Sequence, residues 1–349
     1  MLQRLAEVRN LQGRVMGRME AIGFDLREET TVIALSEDIQ KSSEIEGELL
    51  HLDEVRSSVC RKMGIPNLRN VKSQRHVDGF VEMMLDVTEN YDKKLSKARV
   101  TRWHAALFPA GKSGAFKIKS GQYREDTTGP MQVVSGPLGK EKVHFEAPSS
   151  KLVAAEMKLF FDWFNSNHEL DAVLKAAVAH LWYLTIHPFE DGNGRIARAL
   201  SDMLLAKADK NRQKYYSLSA QIRVERKGYY EVLEKSQQGT LNITNWMLWF
   251  LSCLENALVS TETKLSKTLY KHNFWVMFSR VQLNTRQKSM LNKLLGDFEG
   301  KLNTSKWAKM NKCSTDTGLR DIQDLLAKGL LKKEKEGGRS TNYVLIKQV

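Results

Sequence analysis

A mainly α-helical protein is expected from this sequence. Leu2, Leu5, Val8, Leu11, Val15 and Met19 recur at steps of three and four, the spacing that lines one face of a helix. Only 6 of the 349 residues are proline and no low-complexity tract occurs, so helices should run with few breaks and without long disordered linkers. Strand-like alternation is confined to two short stretches, one within residues 112–148 and one near the C-terminus.

In chain order, residues 1–60 read as helical, with 24–47 a further helical stretch and Pro66 a boundary. Val77, Phe80, Val81, Met84 and Leu85 form an apolar stripe over residues 76–90, and a helix over 98–108 stops at Pro109-Ala110-Gly111. Within 112–148, residues 129–137 read as a strand bounded by Gly-Pro turns, and 142–145 as its return. Helices follow over 151–165, 171–186, 195–208 and 221–237, then over 242–265, where Trp246, Trp249 and Phe250 are assigned to the core. After residue 284 the pattern changes. Helices over 285–295, 305–310 and 314–328, with Ser314 as N-cap of the third, precede strands 330–335 and 342–346 around Gly337-Gly338. Three helices and a hairpin in that order resemble a winged helix-turn-helix. Its candidate recognition helix carries Thr315, Asp316, Thr317 and Arg320.

Composition narrows the class. The length suits two or three domains, and 42% hydrophobic with 27% charged residues is ordinary for a soluble globular protein. Cys60, Cys253 and Cys313 are far apart and form no CxxC pair, which argues against a disulfide scaffold and a zinc site and for a reducing compartment. The N-terminus is charged from Arg4 onward, unlike a secretory signal, and no apolar run approaches the ~20 residues of a membrane span. A cytoplasmic location without membrane contact is expected. The net charge of +13 suits a polyanionic partner. Lys301, Lys306, Lys309, Lys312, Lys328, Lys332, Lys333, Lys335 and Arg339 crowd the last fifty residues, so DNA is a candidate partner for residues 284–349 alone.

The most informative stretch is His187-Pro188-Phe189-Glu190-Asp191-Gly192-Asn193-Gly194-Arg195-Ile196-Ala197-Arg198. Glycines at 192 and 194 let bare backbone N–H groups approach a phosphate closely. A helix starting near Arg195 aims the positive end of its dipole at the same place. Arg195 and Arg198, three apart, project from one helix face toward one anion. The stretch reads as a polyphosphate cradle with a base beside it. Singly, each residue has a structural reading: a histidine after an apolar helix, an arginine pair on a solvated face. Their joint occurrence in this order does not. His180, one heptad earlier, is read as a core or supporting histidine.

At every fixed position this stretch is similar to the Fic family motif, His-Pro-Phe-x-Asp/Glu-Gly-Asn-Gly-Arg-x-x-Arg. Ser42-Ser43-Glu44-Ile45-Glu46-Gly47 resembles the family's inhibitory motif, Ser/Thr-x-x-x-Glu-Gly/Asn, in the subclass whose inhibitory helix is N-terminal. Residues 5–14 also resemble the N-terminal region of multidomain bacterial members. Relatives of this kind are expected to carry a Trp-containing leader, whereas the sequence here starts almost directly at the helix. The resemblance implies a Fic-type helical core with a β-hairpin flap, plus a C-terminal winged helix-turn-helix. Its expected divisions are residues 1–70 for the inhibitory region, 71–270 for the catalytic core and 284–349 for the winged helix.

It further implies a protein adenylyltransferase moving AMP from ATP to a Tyr, Ser or Thr hydroxyl of a target protein, the chain itself included. His187 is then the general base and Asp191 the carboxylate for Mg²⁺. Gly192, Asn193, Gly194, Arg195, Ile196, Ala197 and Arg198 form the ATP phosphate site, with Arg195 on the β-phosphate and Arg198 on the γ-phosphate. Glu190 fills the variable slot without a role. Tyr229 and Tyr230 line the adenine pocket, or pack in the core. Met131, Gln132, Val133 and Val134 form the edge that docks the target by backbone pairing. Ser42, Glu46 and Gly47 form the brake, Glu46 pairing with Arg198 in place of the γ-phosphate; the same glutamate in this family also supports removal of AMP. Gly194 favours nucleotide transfer over the phosphorylation done by Doc-type relatives, which have a lysine there. Three readings remain at this point: this enzyme, with a homodimer among its forms; a DNA-binding transcriptional regulator with a weakly active Fic core; and a Fic enzyme transferring another nucleotide or phosphocholine.

Overall fold

A computed structural model describes the chain except residues 67–70, 128, 137–139, 141, 167–169, 297, 335–340 and 347–349, and the side chain of Asp25. Lys335, Arg339, Pro137 and the Gly337-Gly338 turn lie outside the described residues. Helices come first: α1 (Leu2–Ala21), α2 (Phe24–Ile45), α3 (Leu52–Met63), α4 (Arg75–Glu89) and α5 (Lys97–Leu107). Two short antiparallel hairpins follow, β1 (Lys112–Ser113) with β2 (Phe116–Lys117) and β3 (Gln132–Ser135) with β4 (Lys142–Glu146). Then come α6 (Ser150–Asn165), α7 (Ala172–Ile186), α8 (Asn193–Asp209), α9 (Leu218–Val224), α10 (Arg226–Gln238) and α11 (Thr244–Met277). The chain ends with α12 (Thr285–Leu294), α13 (Thr304–Asn311), α14 (Thr315–Ala327) and the hairpin β5 (Leu331–Lys333) with β6 (Tyr343–Leu345). The mainly α class holds.

Two compact units divide the chain, Met1–Thr261 and Glu262–Val349, and α11 spans the boundary in sequence. In the first, α7 and α8 pack against each other at the centre. Helix α7 is apolar on nearly all sides and buries Val173, Ala176, Ala177, Ala179, Tyr183 and Ile186; the alanines let its neighbours come close. The motif helix therefore starts from the rigid middle of the fold.

Helix α2 packs against α8, α9, α3 and α4. A buried charge cluster fastens it. Asp38 accepts from Ser217 Oγ at 2.5 Å and from the Ser219 N–H at 3.1 Å, and lies 3.1 Å from Lys214 Nζ, which also contacts Asp202 of α8 at 2.5 Å. Burial and the Asp38 charge push the Asp202 carboxyl up to about 8. With one carboxyl protonated the group is electrically balanced.

The reading of residues 221–237 as one helix is corrected: α9 and α10 meet at Glu225, whose N–H closes α9 on Gln221 and whose carbonyl accepts from Tyr229 N–H. The helix over 242–265 runs further, to Met277. In the second unit, Asn284 and Gln287 form a capping box on α12, and Ser314 caps α14 through the Thr317 N–H. Trp307, Ile322, Leu325, Leu330 and Tyr343 share one core. Gly318 brings α14 onto α13, since a Cβ there would lie 3.0 Å from Trp307. Leu302 bridges Tyr343 beside the β5–β6 hairpin, giving three helices followed by a small sheet.

Candidate active site

Helix α7 ends by driving a non-glycine residue into the left-handed region. His187 has φ +51° and ψ +60°, and its N–H donates to Tyr183 O at 3.0 Å. Such a backbone costs about 1–2 kcal/mol and persists only where neighbours hold it. Arg124 supplies the hold: its Nε donates to His187 O at 2.7 Å and its backbone N–H to Pro188 O at 2.9 Å. His187 Nδ1 lies 3.3 Å from Leu184 O. A carbonyl can only accept, so Nδ1 carries the proton and Nε2 keeps its lone pair. Burial pushes the imidazole down to about 4; the Arg124 charge adds to this, while the Leu184 contact, Glu46 and Asp191 oppose it. At neutral pH the ring is a ready base.

The loop that follows is braced from inside. Both ends of the Asn193 amide bond the Phe189 backbone, Oδ1 accepting from its N–H at 3.0 Å and Nδ2 donating to its carbonyl at 2.8 Å. The Asn193 side chain thus shapes the loop from inside. Phe189 stacks on His104 at 4.0 Å. His104 Nδ1 accepts from the Gly121 N–H at 2.8 Å, so its Nε2–H donates to Asp191 O at 3.1 Å. Glu190 Oε2 accepts from the Lys119 N–H at 2.8 Å, which gives the variable slot a bracing role. Gly192 sits at φ +80°, and a Cβ there would lie 2.7 Å from the Phe108 ring. The Asp191 carboxylate is 39% exposed; Ser113 Oγ donates to Oδ2, and Arg195 stands 3.8 Å from Oδ1.

Helix α8 begins at Asn193, two residues before the expected start, and Ile196 N–H makes the first internal bond, to Gly192 O at 3.1 Å. Ahead of it, the N–H groups of Asn193, Gly194 and Arg195 belong to the turn that lacks intrahelical partners. Ile196 and Ala197 are fully buried packing residues. Arg195 lies 4.8 Å over the Phe108 ring, and both arginines are buried. Among the described residues, Arg195 Nε and Arg198 Nη1 are buried without a hydrogen-bond partner, donors that an anion could satisfy.

The end of α2 reaches into this cradle. Gly47, at φ +85°, donates to Glu44 O at 3.2 Å, and Glu48 N–H donates to Ser43 O at 3.0 Å, the paired bonds of a Schellman ending. That turn sets two carboxylates against two arginines. Arg198 donates through Nε to Ser42 Oγ at 2.7 Å, and through Nη2 to Ser42 O at 2.9 Å and Glu46 Oε1 at 2.8 Å. Burial pulls the Arg198 pKa down, but Glu46 and the nearby tyrosines outweigh it and raise it. Oε1 of Glu46 would lie 2.0 Å from a Cβ at Gly194, so the carboxylate rests directly on that glycine. Glu48 Oε2 accepts from Arg195 Nη1 at 2.8 Å, and its Oε1 lies 3.5 Å from His76 Nε2. Sequence reasoning missed Glu48. The available signal was its place one residue past the helix-ending glycine.

The remaining expected residues lie around this centre. Tyr229 is buried, its hydroxyl 3.0 Å from His180 Nε2, while His180 Nδ1 is 2.9 Å from Ser201 Oγ; both pack in the core. Tyr230 is half-buried, with its hydroxyl 3.4 Å from Ile45 O. Gln132, Val133 and Val134 lie on β3, which among the described residues pairs only with β4, and Met131 O accepts from the Ala147 N–H at 2.9 Å.

Residues 94–205 match the Fic/DOC family, and residues 1–65 match a domain of unknown function, DUF4172. A probable protein adenylyltransferase of Aquifex aeolicus is 32% identical over 101 residues, 27% of this chain and 31% of that one. The protein adenylyltransferase Fic of Drosophila willistoni is 32% identical over 133 residues, 34% of this chain and 26% of that one. The matches thus span about a third or less of these relatives' lengths. In fold, the chain is similar to a Fic family protein of Desulfovibrio desulfuricans (TM-score 0.53, 18% identity, covering 100% of this chain and 96% of that one). A Fic domain containing signaling protein of Bacteroides thetaiotaomicron gives a TM-score of 0.56 at 20% identity, covering 74% and 97%. Residues 94–205 thus carry a Fic/DOC family domain, within a chain whose fold is similar to those of Fic proteins.

Proposed function

We propose that this protein is an autoinhibited adenylyltransferase that moves AMP from ATP to a Tyr, Ser or Thr hydroxyl of a protein target. One arrangement supports the reading: Glu46 touches both Gly194 at the start of α8 and Arg198, and the same carboxylate acts on the imidazole of His187, whose Nε2 is unprotonated. Adenylyltransferase is also how the matched relatives are described.

In this reading His187 Nε2 takes the proton of the target hydroxyl as its oxygen attacks the α-phosphorus. The bond from the α-phosphorus to the β-phosphate oxygen breaks, and pyrophosphate leaves. N–H groups at Asn193, Gly194 and Arg195 hold the charge that develops, Arg195 takes the β-phosphate, and Arg198 orients the α-phosphorus through the γ-phosphate. Asp191 fits Mg²⁺ held mainly by phosphate oxygens: it is one half-exposed carboxylate, and among the described residues no cluster of three or more His, Cys, Asp or Glu could hold an ion alone. Bound there, the ion would neutralise charge between the phosphates. The outer edge of β3 pairs with an extended target segment. Tyr229 is buried and Tyr230 only half-buried, which favours Tyr230 as the tyrosine that meets adenine.

Glu46 on Gly194 and Arg198 is the brake, since it stands where phosphate oxygens would go. It would also align a water for removal of AMP. We assign the protein to the cytoplasm, alone or as a homodimer; among the described residues no helix is long and apolar enough to cross a membrane. A second reading rests on the three helices and hairpin of the C-terminal unit, where Lys309, Lys312, Lys332 and Lys333 are exposed. There the tail binds DNA and the Fic core serves a regulator; salt-dependent DNA retention that vanishes on deleting residues 284–349 would support it. The enzyme reading is tested by Mg²⁺-dependent ATP binding. Arg195→Ala should abolish it, and undiminished binding in that variant contradicts the cradle.

A further inference from the structure

We propose that Arg124 is the positioning residue for the catalytic histidine: its guanidinium clamps the strained His187 backbone to the base of the flap. The inference rests on the enzyme reading above and adds a residue to it.

Arg124 lies 63 residues from His187 and its side chain is 1% exposed. Each arm of its guanidinium is committed. Nε donates to His187 O at 2.7 Å, Nη1 to Asp126 Oδ1 at 2.5 Å, and Nη2 to Pro148 O. The three acceptors belong to three segments: the end of α7, the loop after Arg124, and the chain leaving β4. Asp126 passes the tie onward, since its Oδ2 accepts from Ser150 N–H, at the start of α6, at 2.6 Å.

The choice of arginine follows from what the site needs. The His187 carbonyl is the C-cap acceptor of α7, one of the orphaned groups at the negative end of a helix dipole. A fixed cation with a planar fork satisfies that acceptor and still reaches two others, which a lysine cannot do. With the carbonyl pinned and Pro188 O held by the Arg124 N–H, the peptide after His187 has no freedom to relax out of the left-handed region. The imidazole then presents Nε2 in one direction. The Arg124 charge also helps keep the ring unprotonated, against Glu46 and Asp191, which face it from α2 and the loop. Because Pro148 follows Ala147, and Ala147 bonds Met131, the same clamp fixes the flap's docking edge relative to the base.

The test compares Arg124→Gln and Arg124→Lys in the full chain carrying Glu46→Gly. Arg124 touches none of the phosphate-binding groups, so kcat should fall 10- to 100-fold in Arg124→Gln, the scale of a small misplacement of a reacting group. KM for ATP should stay within about threefold, because that site is left whole, and lysine should restore only part of kcat. Equal loss of kcat and of ATP affinity, or unchanged kcat, overturns the proposal. A readout independent of turnover separates this from failure of the enzyme reading: the His187 imidazole NMR resonances should move in Arg124→Gln while those of buried His180 stay. Unmoved His187 resonances overturn the proposal whatever the reaction proves to be. If Arg124→Gln does not fold, Asp126→Asn loosens one arm of the clamp and is read by the same criteria.

Discussion

Replacing Glu46 with glycine should release the enzyme, and the geometry sets the size of the release. Breaking a buried carboxylate–guanidinium pair from one side costs about 3–5 kcal/mol. The Glu46 side chain is 28% exposed while Arg198 is 2% exposed, so solvent screens one partner, and about 2–4 kcal/mol is a fitting range here. A resting state favoured by ~2–4 kcal/mol leaves roughly one molecule in thirty to one in nine hundred competent. Glu46→Gly should therefore raise the initial rate of AMP incorporation from α-labelled ATP about 30- to 900-fold. Glu46→Gln keeps an acceptor for Arg198 but no charge, so it should fall between. A rise below about threefold in a folded Glu46→Gly protein would refute the reasoning, because the carboxylate on Gly194 would then not be what excludes productive ATP.

Glu48→Gln should activate only about two- to fivefold in the same assay, since Glu48 is 39% exposed and exposed pairs are worth about 0.2–1 kcal/mol; activation equal to that of Glu46→Gly would make Glu48 the main brake. Gly47→Val should raise activity as well, because a β-branched residue at φ +85° strains the turn that presents both carboxylates, and an unaltered rate would mean the turn is not needed to seat them. Acid should destabilise the fold through His104 and His180, which burial lowers to about 4 and about 3. Their folded pKa values lie below the ordinary 6.5, so the stability they contribute is full above pH 6.5 and is lost as pH falls toward those values. Between pH 6 and pH 5 the loss should be about 2 kcal/mol for the pair and about 1 kcal/mol more for His187. Asp202 and Asp209, raised to about 8 and about 6, return about 2 kcal/mol because the folded state takes up their protons. The urea midpoint should fall slightly, and a rising midpoint contradicts this.

The motif was legible because its chemistry is contiguous. A helix, a glycine-flanked loop and a second helix bring His187, Asp191, Arg195 and Arg198 together within twelve residues, so spacing alone implied the site. Ser42, Glu46 and Gly47 were legible only through their resemblance to a family motif, and their partner Arg198 is 152 residues from Glu46. What stayed hidden depends on long-range packing. Arg124, His104 and Ser113 lie 63, 87 and 78 residues from the loop atoms they hold, and no local pattern marks them. The bracing role of the Asn193 side chain also depends on packing, since the Phe189 backbone takes both the oxygen and the nitrogen of its amide. Helix existence was read better than helix limits. The break at Glu225 carries no proline, and the extension of α11 to Met277 follows no change in apolar spacing.

The most direct test of the central claim labels ATP on the α-phosphate and, in parallel, on the γ-phosphate, in the presence of Mg²⁺. Label on protein is compared for the native chain, Glu46→Gly, and Glu46→Gly with His187→Ala. The account predicts α label in Glu46→Gly, little in the native chain, and none in the double variant. Protein carrying γ label instead of α label, or α label that survives loss of His187, would contradict it.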